Sequence, residues 1–168
     1  MRNLEFRKLM SDDLPFLVEV RNECCEEFLH NSHQYSYYET VEWFENTNPM
    51  FWVIMWDDIK IGYFRTSNYS KENRNIYMGA DLHKDFRGKG LAYESYMKFI
   101  PILGEELNLH KISLEVLETN QRAIKLYERI GFVHEGVKRD EVFKNGKWVD
   151  SIIMSILEDD WIKYERRI

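Results

Sequence analysis

The 168-residue sequence predicts a mixed α/β fold, and three observations carry that expectation. Segments of two-residue and helical periodicity follow one another in the order β-α-α-β-β-β-α-β-α-β-β. The dipeptides Asp57-Asp58 and Asn145-Gly146 each join two strand-like runs, and the second suits the positive φ angles of a tight hairpin. A helical segment separates the runs 76–82 and 110–117, so a crossover should make that pair parallel while the hairpins supply antiparallel neighbours. The expected architecture is a central mixed sheet of about seven strands flanked by about four helices.

The elements follow in order. Leu4 to Leu9 alternates and predicts the first strand. Ser11 caps a helix with acids in its first turn and Pro15 near its start, running to about Phe28. Ser36-x-x-Glu39 has the form of a capping box and opens a second helix through Phe44. Met50–Trp56 and Ile59–Ser67 predict the first hairpin, and Ile76–Leu82 a further strand. A helix is expected from about Lys89 to Glu106, a strand from His110 to Leu117, and a helix from Asn120 to Ile130. Two last strands flank Asn145-Gly146. No repeat or linker interrupts this series, and three prolines and eight glycines suit one domain over 1–168, with a core about 4–157 and a C-terminal tail 158–168.

Composition narrows the function. Hydrophobic residues make up 44% and charged residues 31%, as in a soluble globular protein, and aromatic content reaches 15%. Nine acids between Ser11 and Glu45 face only Arg21, a local charge of −8 in a chain total of −6, so the remainder carries +2. An acidic total argues against a general nucleic-acid grip. The longest apolar run, Phe51 to Trp56, falls far short of the ~20 residues that span a bilayer. The N-terminal residues lack a signal-peptide core, and the only cysteines, Cys24 and Cys25, are adjacent, so a cytoplasmic protein without disulfides is expected. His30 and His33 stand near Cys25 without the spacing of a zinc site, and no metal is expected.

The chemistry concentrates after the strand 76–82. There Arg87-Gly88-Lys89-Gly90-Leu91-Ala92 leads into a helix. Glycines let backbone N–H groups approach a ligand, and a helix N-terminus adds unpaired donors and a favourable dipole, so the segment suits an anion. Tyr93 stands where a dinucleotide fingerprint needs its third glycine, and no Gly-Lys-Ser/Thr of a P-loop is present.

Arg-x-x-Gly-x-Ala at 87–92 resembles the acetyl-CoA signature of the GNAT family of N-acetyltransferases. About 28 residues downstream, Asn120-x-x-Ala123-x-x-Leu126-Tyr127-Glu128-x-x-Gly131-Phe132 is similar to that family's second block. The element order is also the family's, so the resemblance covers Leu4 to Leu157. It implies that backbone N–H groups of Arg87, Gly88, Lys89, Gly90, Leu91 and Ala92 hold the CoA pyrophosphate. Asp81 and Leu82 would pair through their main chain with the pantetheine arm, near which Asn120 would also lie. In the family the sheet splays between the strands ending here at Leu82 and Leu117, and the acetyl group sits in that gap.

Acetyl transfer to an amine needs a base, an oxyanion site and an acid for the departing thiolate. Tyr127 occupies the family's tyrosine position and is the candidate acid, although Ala123, Ile124, Tyr127 and Ile130 also form a packing stripe. Glu115 is the candidate base. Ile112, Leu114 and Val116 face one side of its strand and leave Ser113 and Glu115 on the other. Leu114-Glu115-Val116 resembles GNAT enzymes that acetylate ribosomal-protein N-termini, where this glutamate is a proposed base. Asp81 is its rival, and a water chain the third alternative.

In this fold the acceptor wall comes from the two N-terminal helices, here the −8 segment, whose field would draw a cationic amine. Glu23, Glu26 and Glu27 are the candidate acceptor ligands, with Tyr38 among the aromatics that could pack on a cation or sugar ring. The tail from Val142 to Asp150 resembles the branch holding ribosomal-protein and spermidine acetyltransferases. Arg21-Asn22 and Glu42-Trp43-Phe44 resemble amino-sugar-nucleotide acetyltransferases. The resemblance therefore implies an acetyl-CoA-dependent N-acetyltransferase acting by direct transfer on a small-molecule or peptide amine: a polyamine, an amino sugar or a protein N-terminus. A catalytically silent CoA-binding domain is the alternative. No membrane or nucleic-acid partner is expected, and a homodimer is left open.

Overall fold

The computed structural model describes residues 3–165, with side chains to Lys163. The expected strands form at β1 (Leu4–Lys8), β2 (Phe51–Trp56), β3 (Ile59–Ser70), β4 (Asn75–Leu82), β5 (Lys111–Leu117), β6 (Val133–Lys144) and β7 (Lys147–Leu157). The helices are α1 (Leu14–Cys25), α2 (Tyr37–Thr47), α3 (Leu91–Leu107), α4 (Gln121–Ile130) and α5 (Glu158–Glu165). One mixed seven-stranded sheet results, in the order β1-β2-β3-β4-β5-β7-β6. As the crossover requires, β4 and β5 are parallel, with Asn75, Ile76 and Tyr77 opposite Lys111, Ile112 and Ser113. Both hairpins turn on two residues of positive φ: 46° and 64° at Asp57-Asp58, and 51° and 76° at Asn145-Gly146.

The chain forms two compact units, one of residues up to Thr66 with Gly79–Ser95, the other of Ser67–Met78 with the residues from Tyr96 onward. In the first, Leu14, Leu17, Val20 and Cys24 of α1 are buried with Val53 and Tyr63 in one apolar cluster. The expected capping box is present: Glu39 N–H donates to Ser36 Oγ at 3.2 Å, and Ser36 N–H donates to Glu39 Oε2 at 2.7 Å. Ser11 does not cap α1. A 3₁₀ turn occupies Ser11–Asp13, and Asp13, 1% exposed, takes the Met10 N–H as well as Arg7 and Lys60. Burial alone would raise the Asp13 carboxyl, but these donors outweigh it and hold the group well below the carboxylate range.

In the second unit, Tyr96, Phe99, Ile100 and Leu103 of α3 are buried, as are Ile112, Leu114 and Val116 of β5. On α4, Ile124, Tyr127 and Ile130 form the expected buried stripe. Asn120 Oδ1 caps α4 through the Ala123 N–H at 3.2 Å, and Gly131, at φ 114°, ends it. The tail corrects the count of four helices. Residues 158–165 form α5, opened by Glu158, Asp159 and Asp160 and held by buried Trp161 against Gly104. The rest of the expected tail, 166–168, and the first two residues lie outside the described residues. No helix of the described residues is long and apolar enough to cross a membrane.

Candidate active site

The expected anion loop takes shape in the first unit. After β4, one 3₁₀ turn (Lys84–Phe86) leads into Arg87–Gly90, and α3 starts at Leu91 rather than at Lys89. The later start has a conformational cause: Gly88 and Gly90 sit at φ 78° and 79°, outside the helical region and strained for any L side chain. Nothing lies within 4 Å of where a Gly90 Cβ would be, and Gly88, Lys89 and Gly90 are exposed. The first-turn N–H groups from Leu91 and Ala92 onward have no carbonyl within the helix, and they point out at the positive end of its dipole. Open space, bare backbone and unpaired donors fit a pyrophosphate.

Arg87 does not project from this loop. Its Nε donates to Leu82 O at 2.8 Å and its Nη2 to Cys24 Sγ at 3.1 Å, with the guanidinium 5.4 Å from the Phe28 ring centre. The Cys24 thiol is pushed up to about 12 by burial and then by Asp81, so it accepts this bond as a neutral group. Lys89 alone of the loop's two cations extends outward, its ammonium 5.5 Å from the Phe86 ring centre.

The acids assigned to the acceptor separate in space. Glu26 and Glu27 are exposed in the turn after α1, and Tyr38 is 83% exposed on α2. Glu23 instead faces the approach to the loop: its Oε2 accepts the Lys84 N–H at 3.1 Å, and Lys84 Nζ lies 3.0 Å from Oε1. Burial would raise Glu23, but Lys84 outweighs it and the carboxyl is lowered. Glu19, Glu23 and His83 gather with their ligand-type atoms within 4.8 Å of one another. The Asp85 N–H donates to His83 Nδ1 at 3.3 Å. That leaves Nε2 as the protonated nitrogen, facing Glu19 at 3.4 Å and Glu23 at 3.6 Å.

Asp81 is 6% exposed and paired with Arg65, while Leu82 is buried beside it in the chain. The Arg65 guanidinium lies over Gly79, where a Cβ would come 2.9 Å from Cζ. Burial first, and then Asp81, lift the Tyr63 hydroxyl well above the phenol range. Sequence reading missed Arg65. The available signal was a charge directly after the apolar run Ile61–Phe64, with an opposite charge, Asp81, in the next strand.

In the second unit, Tyr127 is 9% exposed, its ring against Tyr96 at 5.6 Å and Phe132 at 5.8 Å. Glu115 stands on the polar face of β5 as expected, yet with a partner: Lys138 Nζ of β6 donates to its Oε1 at 2.7 Å. Lys138 is raised above the ordinary lysine value, chiefly by that bond. Glu135 makes the parallel link, accepting from Lys111 at 2.9 Å and from Ser155.

A mixed sheet whose crossover helix opens on a glycine-rich anion loop defines a class of nucleotide-cofactor-binding α/β proteins. Comparison with known sequences gives the family. The profile described as Acetyltransferase (GNAT) domain matches residues 3–133, and the chain belongs to the GNAT acetyltransferase family. A spermidine N(1)-acetyltransferase of Vibrio cholerae is 27% identical over 171 residues, 95% of each chain. The [ribosomal protein uS5]-alanine N-acetyltransferase of Escherichia coli is 25% identical over 122 residues, 70% of this chain and 63% of that protein. A Bacillus subtilis relative, 31% identical over 108 residues, is spanned over 59% of its length, so the chain covers about three fifths of these two curated relatives. The crystal structure of spermidine N-acetyltransferase from Vibrio cholerae in complex with CoA and spermine superposes with a TM-score of 0.88 at 27% identity, covering 95% of this chain and 98% of that one.

Proposed function

We propose that residues 1–168 work as one cytosolic catalytic domain that moves the acetyl group of acetyl-CoA to a primary amine by direct transfer in a ternary complex. The observation that carries this reading is the loop Arg87–Ala92: two left-handed glycines and open space directly before the first turn of α3. Among acceptors, a cationic amine of the polyamine class has the strongest support. The spermidine acetyltransferase is matched over 95% of both chains, and the exposed Glu26 and Glu27 put negative charge at the turn after α1, which would attract an ammonium group.

When bound, acetyl-CoA supplies an acyl thioester, whose carbonyl carbon receives the amine and whose sulfur leaves. The residues of this chain do the rest. The backbone from Arg87 to Ala92 holds the pyrophosphate, and the main chain of Asp81 and Leu82 aligns the arm. The Asn120 amide, with Oδ1 engaged in its cap, offers Nδ2 to the arm. Glu115 takes the ammonium proton through a water, which a lysine-like amine of pKa ~10.4 requires at neutral pH. The C–N bond forms and the C–S bond breaks, the Tyr127 hydroxyl gives its proton to the departing thiolate, and the second proton shed by the acylated nitrogen returns through water to the Tyr127 oxygen.

An acetyl-CoA consumption screen over polyamines, amino sugars and N-terminal peptides tests the reading. Turnover with spermidine or spermine above the other classes supports it. Turnover only with peptides or amino sugars moves the acceptor. Tight acetyl-CoA binding with no turnover on any amine would leave the silent-domain alternative.

A further inference from the structure

The side chains between α1 and the anion loop are arranged as a clamp, and every one of them belongs to the first compact unit. Glu23, with its side chain 16% exposed, stands at the centre. Each of its partners lies in the five residues that immediately precede Gly88. The Lys84 N–H reaches Oε2 at 3.1 Å, Lys84 Nζ lies 3.0 Å from Oε1, His83 Nε2 3.6 Å from Oε1, and Arg87 Nη2 3.5 Å from Oε2. Arg87 completes the link by binding Leu82 O, the last residue of β4, and Cys24 Sγ, the residue after Glu23. One guanidinium thus ties the strand end, helix α1 and the loop together. Its Nε and Nη2 are both directed into the protein, which leaves the loop to meet its ligand chiefly with backbone.

We infer that Glu23 is a positioning residue for the acetyl-CoA loop, acting through Lys84 and Arg87, and that Arg87 serves as an internal strut rather than a phosphate ligand. The inference rests on the acetyl-CoA reading above. Its physical basis is preorganisation. A loop with two left-handed glycines has little conformational preference of its own, and ordering it on binding costs affinity. Pinning residues 83–87 to α1 places the backbone donors before the ligand arrives. The loss of the pin should therefore appear in co-substrate affinity and leave the chemical step at saturation nearly untouched.

The test is a set of variants, Glu23→Gln, Glu23→Asp, Arg87→Lys and Arg87→Ala, measured by calorimetric titration with acetyl-CoA and by steady-state kinetics. Glu23→Gln should raise the acetyl-CoA Kd and KM about tenfold, the size of one charge-assisted hydrogen bond, with acceptor KM and saturating kcat moving less than about twofold. Glu23→Asp should recover part of that affinity. Arg87→Lys keeps the charge but lacks the fork that joins Leu82 O to Cys24, so it should lose as much affinity as Arg87→Ala. The inference is overturned if Glu23→Gln raises the acceptor KM and spares acetyl-CoA. It is equally overturned if Arg87→Lys retains wild-type affinity, which would make Arg87 a phosphate-side charge. If Glu23→Gln fails to fold, the Arg87 pair decides. Wild-type protein that does not bind acetyl-CoA overturns the parent reading as well. Wild-type binding with unaltered variants removes the clamp alone.

Discussion

Asp81 and Glu115 are both acids in the second half of a strand, one in each compact unit, and both satisfy the residue-type demand for a base. Their surroundings differ. Asp81 is 6% exposed and held by a guanidinium that itself lies flat over Gly79, with the phenol of fully buried Tyr63 as a further partner. Glu115 has a side chain 23% exposed and a partner on a flexible stem, the Lys138 ammonium, whose own side chain is 38% exposed. A planar guanidinium packed against the backbone has little room to move, whereas an ammonium on four methylenes can move aside. The structural role therefore weighs more on Asp81, and the proposed proton transfer asks for the freer of the two carboxylates, Glu115.

The largest expected effect falls on Asp81. Asp81→Ala removes the buried carboxylate that Arg65 and Tyr63 meet and should cost about 2–3 kcal/mol of stability in chemical denaturation. A loss below about 1 kcal/mol would erase the contrast with Glu115. Next comes Glu115→Gln, which should lower kcat about 100-fold at neutral pH while leaving the melting temperature nearly in place. If Asp81→Asn instead folds normally and loses turnover while Glu115→Gln does not, the two roles exchange. Tyr127→Phe should leave acetyl-CoA affinity unchanged and slow turnover about tenfold, the lower end of acid catalysis, because the ring still fills the place between Tyr96 and Phe132. Unaltered turnover would reduce Tyr127 to packing.

The smallest effect is Lys138→Met, worth under about 1 kcal/mol for a part-exposed pair and about threefold in rate. Its signature is in the pH dependence. Lys138 is raised in the folded state, so its contribution is complete below the unfolded lysine value of ~10.4 and is lost as pH rises through the folded one. The wild type should lose that increment in the alkaline limb, and the variant should lack it. Identical alkaline limbs would show that the pair contributes nothing to folding.

Much of this was legible in the residues. Asn145-Gly146, the Ser36–Glu39 box and the stripe Ile124, Tyr127, Ile130 each specify geometry within a few residues, and each formed as expected. The anion loop was legible for the same reason, since its glycines act locally. What the chain order hid is spatial pairing. The −8 segment looks like one acidic wall. In the fold Asp13 is met by Arg7 and Lys60, Glu23 by Lys84 and Arg87, and Glu39 is drawn to about 2 by the Ser36 cap and His33. Most of those bases come from outside the segment, and no count along the chain can assign them. The Arg65–Asp81 and Lys138–Glu115 pairs escaped for the same reason. The fifth helix was missed differently: its acidic first turn and Trp161 were visible, but its amphipathic run is short.

The paired cysteines carry a practical consequence. Cys24 and Cys25 are both buried, and the Cys24 thiol, near 12, holds almost no thiolate at assay pH. A disulfide reagent that colours with accessible thiols would therefore report any coenzyme that the proposed reaction releases and leave the folded protein nearly silent. The same silence makes Cys24 a reporter. Its sulfur lies behind Arg87, so a variant in which helix and loop part company would betray itself by a new, slowly titrating thiol before any substrate is added.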